Sequence, residues 1–133
     1  MKSSVAASPY YGAWLSTIEE DIKLVKKGIL ERNFTTVGII SESNCLKMHA
    51  LMWTTKPSVI YQNPLTIEIM NSVIRWREEG VECYFTMDAG PQVKIICLEN
   101  NITKIIEKLE SINVETIVTR PGQGAKTTNE HLF

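Results

Sequence analysis

Apolar positions recur along this chain with two different periods, and the switch between them divides it into a helical part and a mixed part. From Tyr11 onward Trp14, Leu15, Ile18, Ile22, Val25 and Ile29 follow at spacings of three and four, which predicts an amphipathic helix to about Arg32. Ser8 followed by Pro9 reads as its N-cap and first-turn proline. The opposite side carries Glu19, Glu20, Lys23, Lys26, Lys27 and Glu31, a solvated face in which Glu19 precedes Lys23 in the favourable order. A second helix is predicted from about Phe34 to Thr55, after the capping run Asn33–Phe34–Thr35–Thr36. Val37, Ile40, Leu46, Met48, Leu51 and Met52 form its apolar set, but Gly38, Asn44 and His49 interrupt it. Glycine costs about 1 kcal/mol against alanine in a helix, and asparagine competes for backbone partners. A helix that tolerates both is expected to be constrained by packing or by a site. Pro57 closes it, and Asn63–Pro64 starts a third helix using Leu65, Ile69, Met70, Val73, Ile74 and Trp76, which stops at Gly80.

The period then changes to two. Cys83, Phe85 and Met87 alternate with Tyr84, Thr86 and Asp88, and after the break Asp88–Ala89–Gly90–Pro91–Gln92 comes Val93–Lys94–Ile95–Ile96–Cys97–Leu98. Two strands joined by a loop longer than two residues are predicted, the second covered on both faces. Asn101 caps a fourth helix with Ile102, Ile105, Ile106, Leu109 and Ile112 on one face, and Val114 to Thr119 reads as a last strand. The order α-α-α-β-β-α-β implies an α+β fold, an antiparallel sheet with helices packed on one face, and its β-β-α-β run resembles part of a ferredoxin-like plait. One domain over residues 1–120 and a polar tail over 121–133 follow.

Composition narrows the function classes. With 133 residues, 44% apolar and 22% charged, the chain is long enough for a core without staples. A net charge of −1 with interspersed signs argues against broad attraction to nucleic acid or an anionic membrane. No apolar run is long enough to span a bilayer, and residues 1–14 lack the apolar stretch of a signal peptide, so a cytoplasmic location is expected. Cys45, Cys83 and Cys97 form no zinc-type spacing and no even-numbered disulfide framework. Reduced thiols and no metal site are expected.

The candidate chemistry lies at the break between the strands. Asp88 closes the first strand beside Gly90, where the missing Cβ lets a ligand come close to the backbone. The bland reading is a carboxylate that accepts a backbone hydrogen bond within its own turn. His49 likewise reads either as a hydrogen-bonded core histidine or as a catalytic group.

Three stretches taken together, Ser8-Pro-Tyr-Tyr-Gly-Ala-Trp-Leu15, Glu42-Ser-Asn-Cys-Leu-Lys-Met-His-Ala50 and Tyr84-Phe-Thr-Met-Asp-Ala-Gly-Pro-Gln-Val-Lys-Ile95, resemble diphosphomevalonate decarboxylases of the GHMP kinase superfamily in order and spacing. The resemblance covers Met1 to about Thr119, and departs slightly at Gln92, where that family usually has Asn. It implies a reaction of mevalonate 5-diphosphate with ATP and Mg²⁺ that gives isopentenyl diphosphate, ADP, phosphate and CO₂. It implies further that Asp88 is the catalytic carboxylate beside the substrate's tertiary hydroxyl, and that Ala89 and Met1 lie against the substrate. Asn44, His49 and Gly90 would support the site.

The family's Gly/Ser-rich phosphate loop and its N-terminal ATP-binding domain have no counterpart in these residues. Pro121-Gly-Gln-Gly-Ala125 opens no helix and is no phosphate loop of the known kinds. The chain therefore reads as the substrate-side C-terminal half of such an enzyme, whether truncated, started internally or split. It is expected to be inactive without the other half and to associate, as a homodimer, through apolar surface. A different reading, a free-standing plait module that binds a ligand without catalysis, rests on the same lack of a nucleotide site.

Overall fold

The computed structural model describes residues 8–127. The described residues form four helices and one hairpin: α1 (Tyr11–Leu30), α2 (Phe34–Trp53), α3 (Pro64–Glu78), β1 (Cys83–Thr86), β2 (Lys94–Cys97) and, after a 3-10 turn at Glu99–Asn101, α4 (Ile102–Glu110). The α+β class follows the expectation.

Local signals account for most of the boundaries. Asn33 caps α2 by accepting from the Thr36 N–H at 3.0 Å. Asn63 and Thr66 form a reciprocal capping box at the start of α3, with Pro64 in the first turn, where its missing N–H is not needed. Gly80, at φ +87°, takes the left-handed position after α3 that a side chain would strain. Two expected caps differ. α1 starts after Tyr10 and not after Ser8, because the Ser8 hydroxyl is shared between the Tyr10 N–H and the Thr54 hydroxyl, 2.8 Å away across the fold. Asn101 does not cap α4; its amide donates to the Glu82 carbonyl and ties that helix to the entry of β1. On α1 Lys23 pairs at 3.8 Å with Glu20 and not with Glu19.

β1 and β2 pair antiparallel, Cys83 opposite Cys97 through Thr86 opposite Lys94. The alternation seen in the sequence becomes the core: Cys83, Phe85 and Met87 are buried with Ile69, Val73 and Trp76 of α3, Ile105 and Leu109 of α4, and Cys45 of α2. The outer edge of β1 does not end in water. Glu42 accepts from the Phe85 N–H at 3.1 Å, and Arg77 donates to the Cys83 carbonyl at 2.8 Å while clasping Glu42 through two bonds of 2.9 and 3.1 Å. Arg77 also lies 4.5 Å over the Tyr84 ring. Among the described residues no second strand flanks β1 on this edge, and side chains of α2 and α3 take its place.

Gly38 explains why α2 carries a glycine. A Cβ built there would meet the Tyr84 ring at 2.0 Å, and Tyr84 in turn sits edge-on to Phe34, with centroids 5.7 Å apart. The helix gives up about 1 kcal/mol of propensity so that an aromatic strand residue can lie on its backbone.

The last strand expected at Val114–Thr119 does not form. Residues 114–120 run beside β2 and α4 without joining the sheet, and Ile117 is 85% exposed. Its β-branched residues favour extended backbone, but a strand is made by its partner, and among the described residues no backbone–backbone hydrogen bond holds 115–119. β2 is correspondingly only half covered, where both faces were expected to be buried. Residues 121–127 are exposed and belong to no element, and the rest of the expected tail lies outside the described residues.

Candidate functional site

β1 stops pairing at Thr86, so Met87 and Asp88 project beyond the two-stranded ladder. What holds this overhang is α2. The Met87 N–H donates to Cys45 Sγ at 3.2 Å, and the same thiol lies 3.8 Å from the Met87 carbonyl. Burial pushes the Cys45 thiol up from its ordinary value, so it stays a neutral packing group and not a nucleophile. The far side of the loop is fixed by α3, whose buried Thr66 hydroxyl donates to the Pro91 carbonyl at 2.9 Å.

Asp88 thus stands on a chain anchored on both sides, and its carboxylate is 88% exposed. Oδ2 meets Lys94 Nζ at 2.6 Å, across the hairpin. That ammonium holds the carboxyl below the usual carboxylate range, so Asp88 is ionised at neutral pH. Solvent screens an exposed pair of this kind, so it does not lock the carboxylate away from a ligand. The side chain neither buries itself nor caps its own turn.

Asp88 forms one end of an open cleft of about 660 Å³ between α1 and α2. Trp14, Ile18, Ile22, Val25, Ile40 and Met48 supply apolar walls. Polar groups enter from Asp21, Lys26, Ser41, Asn44 and Thr86. Asn44 earns its place in a helix here, because its amide donates to Asp21 Oδ2 at 3.1 Å, and Lys47 Nζ donates to the same oxygen at 2.7 Å and to Thr17 at 3.1 Å. Burial opposes the charge on Asp21, but Lys47 and Asn44 outweigh it and hold the carboxyl below its ordinary value. This cluster staples α1 to α2 along the cleft floor.

The other expected site residues are placed unequally. Ala89 is exposed beside Asp88, and Gly90 is half-buried. A Cβ at Gly90 would meet only the Gln92 side-chain oxygen, at 2.6 Å, so that neighbour fills the flank expected to be open to a ligand. His49 is buried at 2% exposure one turn beyond Cys45 and does not line the cleft. Met1 lies outside the described residues. Sequence reasoning missed Cys45, Thr66 and the Asp21–Lys47 pair, which act across 25 to 42 positions of chain and leave no local signal. Lys94 was within reach: six residues after Asp88 in a hairpin puts it on the facing strand.

Among the described residues no three His, Cys, Asp or Glu side chains gather into a metal-binding group. None of the described helices is long and apolar enough to cross a membrane.

Residues 1–130 match the family model of the mevalonate 5-diphosphate decarboxylase C-terminal domain. The phosphomevalonate decarboxylase of Haloferax volcanii is 27% identical over 129 residues, which are 96% of this chain and 40% of that protein. The solved structure of mevalonate pyrophosphate decarboxylase from Streptococcus pyogenes superposes with a TM-score of 0.86 at 32% identity, covering 94% of this chain and 39% of the other. A solved complex of the protein MDDEF with MVAPP, AMPPCP and magnesium superposes at 0.80 with 34% identity, over 82% of this chain and 33% of that one. The chain therefore spans about two fifths or less of the length of the relatives it matches.

Proposed function

The chain belongs to the mevalonate 5-diphosphate decarboxylase C-terminal domain family, and from that premise we propose that it forms the substrate-side wall of an ATP-dependent decarboxylase acting on mevalonate 5-diphosphate, with Asp88 as its catalytic carboxylate. The observation that carries the reading is the anchored overhang: an ionised, exposed carboxylate at the end of a cleft, on backbone fixed by Cys45 and Thr66.

A carboxylate so placed has two uses. One oxygen accepts a hydrogen bond from the substrate's tertiary hydroxyl, orienting that oxygen and taking its proton as it reacts, while Lys94 keeps the other oxygen. When the oxygen substituent leaves, positive charge develops at the tertiary carbon, and a fixed negative charge beside it lowers that barrier. Loss of CO₂ from the neighbouring carbon then supplies the electron pair of the alkene. Ala89 and Met1 line the substrate in this reading, and Asn44 shapes the cleft floor through its bond to Asp21.

The described residues do not fit ATP or Mg²⁺ on their own, since they contain neither a phosphate loop leading into a helix nor a carboxylate cluster. Those groups belong, in this proposal, to an N-terminal GHMP-type domain on a partner segment or chain. The half-exposed apolar stripe of α1, with Leu15 and Ile29 at 51% and 61%, supports association, including a homodimer. A cytoplasmic setting fits the three unpaired cysteines.

The test is reconstitution. The chain alone is expected to release neither phosphate nor CO₂ from ATP and mevalonate 5-diphosphate. Addition of a separately produced N-terminal half of a relative is expected to restore release, with mevalonate 5-phosphate as the competing substrate. Turnover by the isolated chain would contradict the division of labour, and turnover with the monophosphate alone would correct the substrate.

A further inference from the structure

The His49 ring and the Asp88 backbone are both left over by the bonding described above, and they lie side by side. Neither ring nitrogen of His49 has a hydrogen-bond partner at good geometry, although the residue is 2% exposed. Among the described residues no backbone–backbone hydrogen bond holds Asp88, which stands past the end of the ladder. Leaving a buried polar group unpaired costs about 1–3 kcal/mol, so a buried histidine without a bond calls for an explanation. Its position supplies one. His49 follows Cys45 by four residues on α2, so the two side chains project from the same face, one turn apart. Cys45 takes the Met87 peptide, and the next peptide along is that of Asp88. The Tyr61 ring stands at 85° to the imidazole, with centroids 5.9 Å apart, and limits how it can turn. Burial pushes the imidazole below its ordinary value, so it is neutral, with one N–H to donate; the Asp88 backbone works the other way, as only an acceptor can.

We propose that His49 is a positioning residue for the decarboxylase site: its ring N–H donates to the Asp88 carbonyl, and with the Cys45–Met87 contact it sets the direction in which the Asp88 carboxylate enters the cleft. The role rests on the reading of Asp88 as the catalytic carboxylate, but the contact does not. It accounts for a histidine buried inside a helix, one turn beyond Cys45 and outside the cleft lining, that itself touches no substrate. Between the Met87 peptide held by Cys45 and the Pro91 carbonyl held by Thr66 the intervening bonds can still rotate, and a displacement of about 1 Å at a reacting group costs on the order of 100-fold in rate.

The contact and its role are tested separately. In the ¹³C,¹⁵N-labelled chain, the His49 ring is expected to be a single neutral tautomer whose N–H exchanges at least about 100-fold more slowly than a free imidazole. His49→Phe keeps a flat ring and removes the donor, and is expected to move the Asp88 carbonyl and Ala89 amide resonances. His49→Gln keeps a donor and is expected to leave them near their original places. A wild-type imidazole N–H exchanging at the solvent rate, or unmoved Asp88 and Ala89 signals in a folded Phe variant, overturns the proposal whatever the protein catalyses. In the reconstituted enzyme His49→Phe is expected to lower kcat by about 10- to 100-fold with KM little changed, and His49→Gln to recover most of it. Equal kcat in the two variants would refute the positioning role. Absence of turnover with the unsubstituted chain would instead count against the proposed function, and the resonance experiment would still decide the contact.

Discussion

α1 and α2 are each 20 residues long and lie against one another, yet they do opposite work. α1 has the tidier pattern, an apolar stripe at helical spacing opposite a charged face. Its one buried residue is Gly28, and Leu15, Ile22 and Ile29 remain about half exposed. α2 has the broken pattern, with glycine, asparagine, cysteine and histidine spread along it, and it buries Gly38, Cys45, His49 and Leu51. Four positions of α2 each meet something specific: Gly38 the Tyr84 ring, Glu42 the edge of β1, Asn44 the Asp21 carboxylate, Cys45 the Met87 peptide. A regular stripe shows where a helix forms, whereas departures from it mark where the helix has been fitted to its neighbours.

The sharpest way to break this contrast is at the edge of β1. Glu42→Ala leaves the half-buried Arg77 guanidinium and the Phe85 N–H without their partner. The loss is expected to be about 3 kcal/mol of unfolding free energy in denaturant titration, the low end for a buried pair because both groups keep some solvent. A loss under about 1 kcal/mol would show that the edge of β1 is satisfied by water instead.

Gly38→Ala comes next. Alanine is the better helix former by about 1 kcal/mol, so a solvent-facing glycine would gain from the change. Here the added methyl meets a buried ring and forces Tyr84 aside, so a net loss of about 1–3 kcal/mol is expected. Thermal unfolding gives the sign directly, and a stabilised variant would mean that Tyr84 repacks freely.

The smallest effect is expected on α1. Leu15→Ser and Ile29→Ser replace residues already half exposed, and each is expected to change unfolding by less than about 0.5 kcal/mol. The pair is expected to reduce self-association seen by light scattering, since the exposed stripe is the surface available for it. A loss above 1 kcal/mol in the monomer would place that stripe inside the core and erase the contrast.

The same contrast explains what the sequence revealed. Helix starts at Asn33 and Asn63 were legible because a cap acts within three residues of its own position. The alternation Cys83–Phe85–Met87 was legible because burial on one face of a strand imposes its period on the chain. Ser8 and Asn101 were misread as caps, since each spends its side chain on a distant partner, Thr54 or Glu82, that local spacing cannot reveal. Val114–Thr119 failed as a strand for a related reason: propensity is local, but the ladder that makes a strand is not. At the site, Asp88 stood out by its place at a break, while the thiol and hydroxyl that hold its peptide came from α2 and α3 and were invisible until those helices were seen to converge.

Asp88 is the group on which the proposed chemistry depends. Asp88→Asn is nearly isosteric, keeps the hairpin and removes only the charge and the basicity of an exposed group. In the decarboxylase reconstituted with this chain, single-turnover release of CO₂ from mevalonate 5-diphosphate is expected to fall by about 100- to 10,000-fold, the range for loss of a general base, while substrate affinity stays within a few-fold. Release within about threefold of the unsubstituted protein, with the same affinity, would contradict the assignment and leave the anchored overhang without a chemical purpose.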